Sequence, residues 1–573
     1  MITRSRGAGQ RAARPPQVGP GESGEGAGSG LSSRPEGPVW SGSRDRSNLA
    51  FVVLIGFAVA AALALRWSAL DSQSLWGDEG YTLWISRLSP RDIWRTLELD
   101  TSSPLYYILV HYWVKCVGSS AASLRALSAL FGTLSVPLFY LIARKMLAER
   151  TAIWLAMMLY AVSYLQVWYS KEARCYTLLV SLSLGSVYCL LLCLESSNPL
   201  RLCSLALFLA ASLYTHNMAL FCLPGLALMW FVYPAERPIR ARVRDALIVF
   251  SLMLLLYIPW LPTLREQHQG IQGNYWVPTP GGRTILNSLF VLSGLDVPTL
   301  QAVFRGPFHT RLFGFWTWAP VVLMIFILCI LGALCAKRAA DRRKIAALLA
   351  YSAIPVILVF VDSRVSTPVY LDRLFLGCCA LLPVLLCAAI AFHIGTARKV
   401  YQLIGLFVLV ATTISLFGYL RREQKQDWRG ATEYLMKLPQ TRRLAVTVPD
   451  FGQVLVQYYV SRLSKSYPPI EVTGLLARFN PPDPGLQRRT VQNEQSGVAL
   501  ALLSQAMMRG KYKEVDVLVS PGAPPHLVKS ALEFLHCGSV DAVEFYGPLE
   551  VRRCAVQSTT ANQRVLGVNR TRS

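Results

Sequence analysis

Long apolar segments recur along the chain from Leu49 to Leu420, and short polar connections separate them. A membrane-spanning helix needs about 20 mostly apolar residues, and these segments approach or reach that length. The pattern predicts an α-helical polytopic membrane protein with about eleven transmembrane helices. The predicted spans are residues 49–67, 121–143, 151–168, 175–194, 201–215, 218–233, 246–263, 313–336, 345–361, 374–395 and 402–420.

The beginning of the chain has a different composition. Residues 1–48 are rich in Gly, Pro, Ser and Arg and contain few aliphatic side chains, which predicts a disordered tail. Its arginines place this tail in the cytoplasm. The apolar segment that follows is interpreted as an uncleaved span rather than a cleaved signal peptide.

After residue 420 the apolar segments give way to short β-type runs. We predict a small extracytoplasmic α/β domain over residues 421–558 and a disordered tail over residues 559–573. The predicted elements are strands at 442–448 and 515–520, a helix at 524–537, a hairpin at 542–554 that turns at Gly547 and Pro548, and a loop at 477–490.

Basic residues cluster in the short connections, and their distribution predicts the topology. Lys and Arg accumulate on the cytoplasmic side of membrane proteins. The basic connections share that side only if residues 104–118 do not cross, so we predict this aromatic segment to be an interfacial helix on the outer surface. The N-terminus is then cytoplasmic and the C-terminus extracytoplasmic. The basic connections are residues 143–150, 235–245, 336–344 and 397–400.

Composition and charge exclude one class of partner. The chain is 53% hydrophobic and 16% charged, with a net charge of +24. The positive charges lie in short loops without a basic, aromatic-interleaved stripe, which excludes nucleic acid. Most cysteines lie inside the apolar segments and show no metal-type spacing. Cys537 and Cys554 are exceptions, and a disulfide between them requires an extracytoplasmic C-terminal domain.

Two adjacent carboxylates, Asp78 and Glu79, follow the first span in the segment SLWGDEGYTLW (74–84). Neighbouring helical residues point roughly 100° apart, so the two carboxylates need not face one target. The simplest arrangement gives one carboxylate the chemistry and the other a supporting hydrogen bond or ion pair, because two in one dry pocket would repel each other. The alternative is that both are solvated loop residues.

Further charged residues fall in other loops on the predicted outer face. Taken singly, each could be a residue that snorkels at the mouth of a span. Together they bring acids and arginines to one membrane face, where guanidinium groups can bind phosphate and a carboxylate can deprotonate a hydroxyl. This predicts a reaction that joins a phosphate-bearing lipid to an acceptor hydroxyl. The residues are Arg125, Lys171, Glu172, Arg174, His216, Arg364 and Arg373.

Several motifs in order resemble the bacterial glycosyltransferase family related to protein O-mannosyltransferases. This family belongs to the GT-C superfamily of membrane glycosyltransferases, which includes lipid A aminoarabinose transferases. The match covers most of residues 49–420 and is strongest over 74–180; beyond it, only KQDWRGATEYL (425–435) is similar. The motifs are LWGDEGYT (75–82), SSPLYYILVHYW (102–113), RALSALFGTLSVPLFYLIARKM (125–146) and WYSKEARCYTLL (168–179).

The resemblance implies a GT-C transmembrane domain over residues 49–420 in the bacterial inner (cytoplasmic) membrane. It implies inverting transfer of a sugar from a polyprenyl phosphate to an acceptor hydroxyl on the extracytoplasmic face. Asp78 is then the general base and Glu79 an assisting or binding residue, and Arg373 is a candidate for the lipid phosphate. The acceptor stays open among protein, lipid and cell-wall glycan. The predicted substrate-binding residues are Tyr106, Arg125, Lys171, Glu172, Arg174, His216, Arg364 and Arg373.

The chain departs from this family at two places. The family usually has Gln where this chain has Lys171, and commonly His-Pro-Pro where it has Ser102, Ser103 and Pro104. Any role of that histidine must be met by Ser102, Ser103 or water, or it is lost.

The cofactor prediction is left open. No cofactor is certain, and a divalent metal at Asp78 and Glu79 is an alternative for which no complete ligand set is visible. 

Two other classes of protein fit the hydrophobic pattern. A secondary transporter would place ionisable residues at mid-membrane and repeat its spans, but few charges lie mid-span and no internal repeat is evident. A non-catalytic scaffold would use its C-terminal domain to bind partners, and the missing histidine favours it. A basic, phosphate-sized pocket beside Asp78 would argue against the scaffold.

Overall fold

The computed structural model is mostly helical and describes the chain from residue 42 onward, with gaps. The chain divides into two units between residues 50 and 51. The first helix begins at Gly42, before the predicted boundary at residue 49. The described residues are 42–98, 100–270, 277–296, 315–423, 425–438, 443–448, 451–464, 466, 470–474, 512, 514–520, 523, 525–535, 541–547 and 549–555.

The helices follow the apolar segments of the sequence. Short 3-10 turns at Asn217–Phe221, Ile258–Trp260 and Asp372–Phe375 join some of them. The helices up to residue 421 are α1 (Gly42–Trp67), α2 (Gly77–Ile85), α3 (Pro90–Glu98), α4 (Leu105–Val117), α5 (Ala121–Met146), α6 (Arg150–Val162), α7 (Tyr164–Ser170), α8 (Tyr176–Glu195), α9 (Pro199–Thr215), α10 (Cys222–Val232), α11 (Ile239–Tyr257), α12 (Leu261–Gly270), α13 (Gly282–Leu292), α14 (Phe315–Leu334), α15 (Ala339–Val365), α16 (Leu376–Cys379), α17 (Leu382–Phe392) and α18 (Gly395–Arg421).

Several helices are long and apolar enough to cross a membrane, so the chain is a multi-pass membrane protein. Among the described residues six helices qualify, or up to eight if each of two bent pairs counts as one span. The predicted eleven spans would also require the shorter apolar helices Pro199–Thr215, Asn217–Val232 and Leu323–Leu334 to cross. That number stays a prediction. Helix α4 has 13 residues, which is too short to span.

Three of the four predicted basic connections come together at one end of the helical bundle. Lys344 Nζ donates to the carbonyl of Lys145 at 3.4 Å, and Arg343 Nε donates to the carbonyl of Val232 at 3.0 Å. Lys145 also pairs with Glu195 at the last residue of α8. Connections 143–150 and 336–344 therefore lie on the same side as the start of 235–245, as the positive-inside pattern requires.

The acidic pair lies at the other end of α8. Thr82 Oγ1, on α2, donates to the carbonyl of Ala173 at 2.9 Å, just before α8 begins at Tyr176. Helix α8 has 20 residues, a length of about 30 Å, which matches the hydrocarbon core of a bilayer. Asp78 and the residues around 171–176 are thus about one membrane thickness from the basic connections.

The C-terminal region contains the predicted strands in one five-stranded sheet of order β2-β1-β3-β5-β4. Strands β1, β2 and β3 run parallel, whereas β5 is antiparallel to both β3 and β4. The predicted hairpin is β4–β5, with Gly547 at φ 80° between its strands. The elements are α19 (Trp428–Lys437), β1 (Arg443–Val448), α20 (Phe451–Leu463), β2 (Glu471–Gly474), β3 (Glu514–Val519), α21 (Pro525–Phe534), β4 (Asp541–Phe545) and β5 (Leu549–Ala555).

Packing explains why these segments form a sheet. Alternate residues of β1 and β3, including Leu444, Val446, Val515 and Val517, are fully buried against α21. Cys554 is buried in β5 and disulfide-bonded, whereas Cys537 lies outside the described residues. The predicted loop at 477–490 and the predicted tail at 559–573 also lie outside them. The domain boundaries at residues 420 and 558 remain predictions.

Candidate active site

Asp78 and Glu79 lie in the first turn of α2 and point into different surroundings. The Glu79 side chain is completely buried, whereas the Asp78 side chain is 35% exposed. This is the divergence expected of neighbouring helical residues. The two carboxylates therefore have different chemical environments although they are adjacent in sequence.

Glu79 is held by a dense set of charged partners. Arg125 on α5 binds it through Nε and Nη2 at 2.7 and 2.6 Å. The amide of Ala173 and Lys425 Nζ each donate to Oε1 at 3.0 Å. Burial alone would raise the pKa of Glu79, but the two cations and these hydrogen bonds outweigh it and lower the pKa to about 2. Glu79 is thus a permanent carboxylate inside the protein.

Arg125 does not fit its predicted role in substrate binding. Only 2% of its surface is exposed, and its remaining N–H groups donate to the carbonyls of Leu70, Gln73 and Ser74 at 2.7 to 2.9 Å. A guanidinium has five N–H donors, and the protein uses all of them. We revise its role to holding Glu79 and the segment before α2.

Arg174 joins Asp78 to the interior of the site. Its Nε lies 3.8 Å from Asp78 Oδ2, and its Nη1 donates to the hydroxyl of Tyr107 at 2.9 Å. Nε makes no hydrogen bond within the described residues. Arg174 therefore has donor capacity left for a substrate anion beside Asp78.

Glu172 is a buried carboxylate that forms no salt bridge within the described part of the chain. It is 1% exposed, and Oε2 accepts a hydrogen bond from Trp168 Nε1 at 2.9 Å. Oε1 has no hydrogen-bond partner among the described residues. Burial raises the pKa of Glu172 to about 7; Lys425 opposes this rise, and the negative charges of Glu79 and Asp78 add to it. Glu172 therefore changes its charge near neutral pH.

A cavity of about 520 Å³ opens next to Arg174, within the usual size range of small-molecule sites. Its charged lining, within the described part of the chain, consists of Arg174, Arg265, Arg373 and Asp362. Asp78 is not part of the lining, but it contacts Arg174, which is. An excess of arginines in an enclosed space favours an anionic ligand.

Arg373 and His216 both lie close to the ring of Tyr176 in this cavity. The Arg373 guanidinium is 5.7 Å from the Tyr176 ring centroid, a cation–π distance. The His216 ring is 6.0 Å from the same centroid. The tyrosine at the start of α8 thus fixes both side chains at one wall.

His216 is held in one neutral form. Its Nδ1 accepts a hydrogen bond from the amide of Met218 at 3.2 Å, capping the 3-10 turn at Asn217–Phe221. Burial, and then the charges of Arg174 and Arg373, lower the pKa of His216 to about 4. With Nδ1 as acceptor, the single proton is on Nε2, which makes the ring a hydrogen-bond donor.

Three other predicted binding residues do not line this cavity. Tyr106 is fully buried, and its hydroxyl is hydrogen-bonded to Ser128 Oγ at 2.8 Å. Arg364 is exposed and donates to the carbonyl of Pro280 at 3.2 Å. Lys171 lies at a separate small pocket, where its Nζ donates to Ser68 Oγ at 3.1 Å. Their role as ligands of the substrate stays a prediction.

The serines that replace the family's histidine lie at the cavity wall. Ser103 Oγ donates to Asn217 Oδ1 at 2.8 Å, and the Asn217 amide donates to Gln267 Oε1 at 2.7 Å. His216 is the chain neighbour of Asn217. An imidazole therefore lies close to the serines, although it comes from another loop.

A metal ion does not fit the predicted carboxylate pair. No group of three or more His, Cys, Asp or Glu side chains in the described part of the chain could hold one. The cations of Arg125 and Lys425 occupy the surroundings of Glu79 and would repel a divalent ion. We derive no step through a metal.

Two features of the site were missed in the sequence. Lys425 reaches Glu79 from 346 positions away in the chain, although its segment belongs to the similar stretch 425–435. Arg265 and His268 on α12 line the cavity, and only their place in a long loop on the predicted outer face pointed to them.

Comparisons with known proteins find similarity over part of the sequence and over most of the fold. The family model for dolichyl-phosphate-mannose-protein mannosyltransferase matches residues 101–262. The resemblance to mannosyltransferases that the sequence motifs indicate is confirmed over these residues. Among curated proteins, no sequence matches the chain significantly.

Solved structures share the fold at low identity. ArnT from Cupriavidus metallidurans bound to undecaprenyl phosphate superposes with a TM-score of 0.52 at 12% identity, over 88% of this chain and 98% of that one. The same protein in the apo state scores 0.49 at 12% identity with equal coverage. Arabinofuranosyltransferase AftD from Mycobacteria scores 0.45 at 15% identity, over 88% of this chain and 41% of that one. Only the first score supports a common fold.

Proposed function

We propose that the protein is a membrane glycosyltransferase that moves a sugar from a polyprenyl phosphate to an acceptor hydroxyl. The observation that carries this proposal is the arginine-lined cavity next to Asp78. Nε of Arg174, which lines the cavity, lies 3.8 Å from Oδ2 of the partly exposed Asp78. This arrangement combines an anion site with a carboxylate that has solvent access. We place both on the extracytoplasmic face, opposite the basic connections.

The donor phosphate binds at Arg174 and Arg373 in this proposal. Both guanidinium groups line the cavity, and arginine suits phosphate because its fork of donors matches the phosphate oxygens. The structure of ArnT with undecaprenyl phosphate and the dolichyl-phosphate-mannose family model support a lipid-linked donor. The sugar, hexose or pentose, then lies between the phosphate and Asp78.

Transfer is a single displacement with inversion. Asp78 takes the proton of the acceptor hydroxyl while its oxygen attacks the anomeric carbon and the bond from that carbon to the phosphate oxygen breaks. The polyprenyl phosphate leaves with the electron pair. Arg174 and Arg373 stabilise the charge that grows on it in the transition state.

The competing classes explain these observations less well. A transporter would line a mid-membrane cavity with its charges, whereas the charged residues here lie at the ends of helices, near residues 78, 174 and 373. A scaffold has no use for an arginine-lined cavity of this size.

The test compares Asp78→Asn with Asp71→Asn in proteoliposomes supplied with labelled undecaprenyl-phosphate mannose and an undecaprenyl-phosphate pentose. Asp71 is the matched control because it is an exposed carboxylate of the same loop, 64% exposed and paired with Arg429. We expect Asp78→Asn to reduce transfer about 10²- to 10⁴-fold, the usual contribution of general base catalysis. Undecaprenyl phosphate should still bind with wild-type affinity.

Arg373→Ala tests the donor site separately and should weaken binding of undecaprenyl phosphate. Equal transfer by wild type and Asp78→Asn would remove Asp78 from the mechanism. Unchanged phosphate affinity in Arg373→Ala would remove the proposed donor site.

A further inference from the structure

The short helix that carries Asp78 depends on the C-terminal region for its position. Helix α2 has nine residues, and its N-cap residue Trp76 makes no side-chain capping bond. Isolated helices of this length are unstable in water. Its position must therefore come from the elements that pack on it.

Helix α20 of the C-terminal sheet region packs tightly on α2. A Cβ added at Gly77 would lie 2.8 Å from Phe451, and one at Gly80 would lie 2.8 Å from Leu455. Both glycines thus allow α20 to approach more closely than larger residues would permit. The amide of Leu75, just before α2, donates to the hydroxyl of Tyr459 on α20 at 2.7 Å.

Lys425 adds a charged link between the same parts. It follows the last helix of the membrane region, and 5% of its side chain is exposed. Its Nζ donates to Glu79 Oε1 at 3.0 Å and to the carbonyl of Lys171 at 3.2 Å. One ammonium group therefore connects α2, the loop before α8 and the start of the C-terminal region.

We propose that Lys425 is a positioning residue through which the C-terminal region holds Asp78 in register with Arg174. This inference rests on the proposed function for its kinetic consequence. Lys425 fixes Glu79, and Glu79 is adjacent to Asp78 on the same helical turn. The carbonyl of Lys171 belongs to the loop that carries Arg174. Without the ammonium group of Lys425, Asp78 and Arg174 can move relative to each other.

The experiment compares Lys425→Met, which removes the charge, with Lys425→Arg, which keeps it. Lys437→Met is the control, because this lysine is 53% exposed in a surface pair with Glu433. Turnover with undecaprenyl-phosphate mannose and binding of undecaprenyl phosphate are measured for each. Misplacement of a catalytic group by about 1 Å can cost roughly 100-fold in rate, so we expect Lys425→Met to lower kcat about 10- to 100-fold.

The expected pattern separates positioning from general damage. Affinity for undecaprenyl phosphate should stay within about twofold of wild type, because Arg174 and Arg373 remain. Lys425→Arg should retain most of the turnover, and Lys437→Met all of it. A parallel fall of affinity and kcat in Lys425→Met, or equal loss in Lys425→Arg, overturns the proposal.

Hydrogen exchange gives a readout that does not depend on activity. Amides of residues 75–85 should exchange faster in Lys425→Met, while amides of α8 stay protected. Tyr459→Phe, which keeps the packing but removes the hydroxyl bound by Leu75, should act in the same direction if Lys425→Met does not fold. Wild-type exchange at 75–85 in both variants refutes the inference. A wild-type protein that transfers neither sugar refutes the proposed function instead, and the exchange result still stands.

Discussion

His216 is a neutral ring whose proton is on Nε2, and substitution by Asn or by Gln tests what this proton does. Nδ1 of the ring accepts a hydrogen bond from the amide of Met218. The ring also lines the cavity together with Arg373 and Tyr176. We expect its Nε2–H to donate to the donor phosphate. His216→Asn keeps an acceptor near the Nδ1 position and loses the distal donor. His216→Gln places an amide N–H near the Nε2 position.

The magnitude follows from one hydrogen bond to a charged group. Such a bond contributes about 1.5 to 3 kcal/mol, which is roughly a 10- to 150-fold change in affinity. The dissociation constant of undecaprenyl phosphate should therefore rise by about that factor in His216→Asn. In His216→Gln the rise should be a few-fold at most. Binding is measured on the reconstituted protein with labelled undecaprenyl phosphate.

The pH dependence provides a second check of the same reasoning. Because burial and the nearby arginines lower the pKa of His216 to about 4, the ring is neutral above that pH. Wild type and His216→Gln should then show the same change in affinity between pH 8 and 6, since the His216 ring does not titrate there and the other titrating groups are common to both proteins. Equal affinity losses in His216→Asn and His216→Gln would refute the donor role. An affinity gain on acidification in wild type alone would refute the neutral ring.

Three further substitutions test the support of the site by thermal unfolding in detergent. Arg125→Met should destabilise the protein by about 3 to 5 kcal/mol, because it leaves the buried carboxylate of Glu79 without its main partner. The control Arg144→Met changes an exposed arginine and should not destabilise the protein. Equal destabilisation by the two substitutions would contradict the role of Arg125. Gly80→Ala should cost about 1 to 3 kcal/mol through overpacking, whereas Gly56→Ala, with no atom within 4 Å of its added Cβ, should be neutral. The third substitution is Glu172→Gln. The Glu172 carboxyl binds its proton more tightly in the folded protein than in the unfolded protein, because burial raises its pKa from 4.5 to about 7. Stability should thus fall by about 3 kcal/mol as pH rises from 4.5 through 7, and Glu172→Gln should flatten this dependence; a parallel profile in the variant would argue against the raised pKa.

The helices and strands could be predicted because their signals are local. Apolar runs of bilayer length give the long helices, and alternating runs after residue 420 give the strands. The positive-inside pattern also predicted that Lys145 and Lys344 lie at the same end of the bundle. The number of spans was harder to predict from the sequence. Length alone does not say whether a bent pair of helices, or a helix of 11 to 17 residues, crosses the membrane.

The site was predictable as a set of residue types but not as a set of roles. Sequence indicates that Arg125 carries a charge near a span's end, but not that backbone carbonyls and Glu79 use all of its donors. Similarly, nothing local distinguishes Lys171, which points to Ser68, from Arg174, which lines the cavity. Lys425 was missed because its partner Glu79 is remote in sequence, so nothing within its own segment indicated the pair.

The two adjacent carboxylates are best understood through the charges that surround each of them. Glu79 is enclosed by two cations and by an amide donor, so its charge is compensated and its proton affinity is too low for it to accept a proton near neutral pH. Asp78 has one guanidinium at 3.8 Å and partial solvent access, so an acceptor hydroxyl can reach it from the aqueous side. If both residues were exchanged in role, the buried pair would have to break, at a cost of about 3 to 5 kcal/mol. The fold therefore gives Glu79 a structural role, and Asp78 remains the proposed general base.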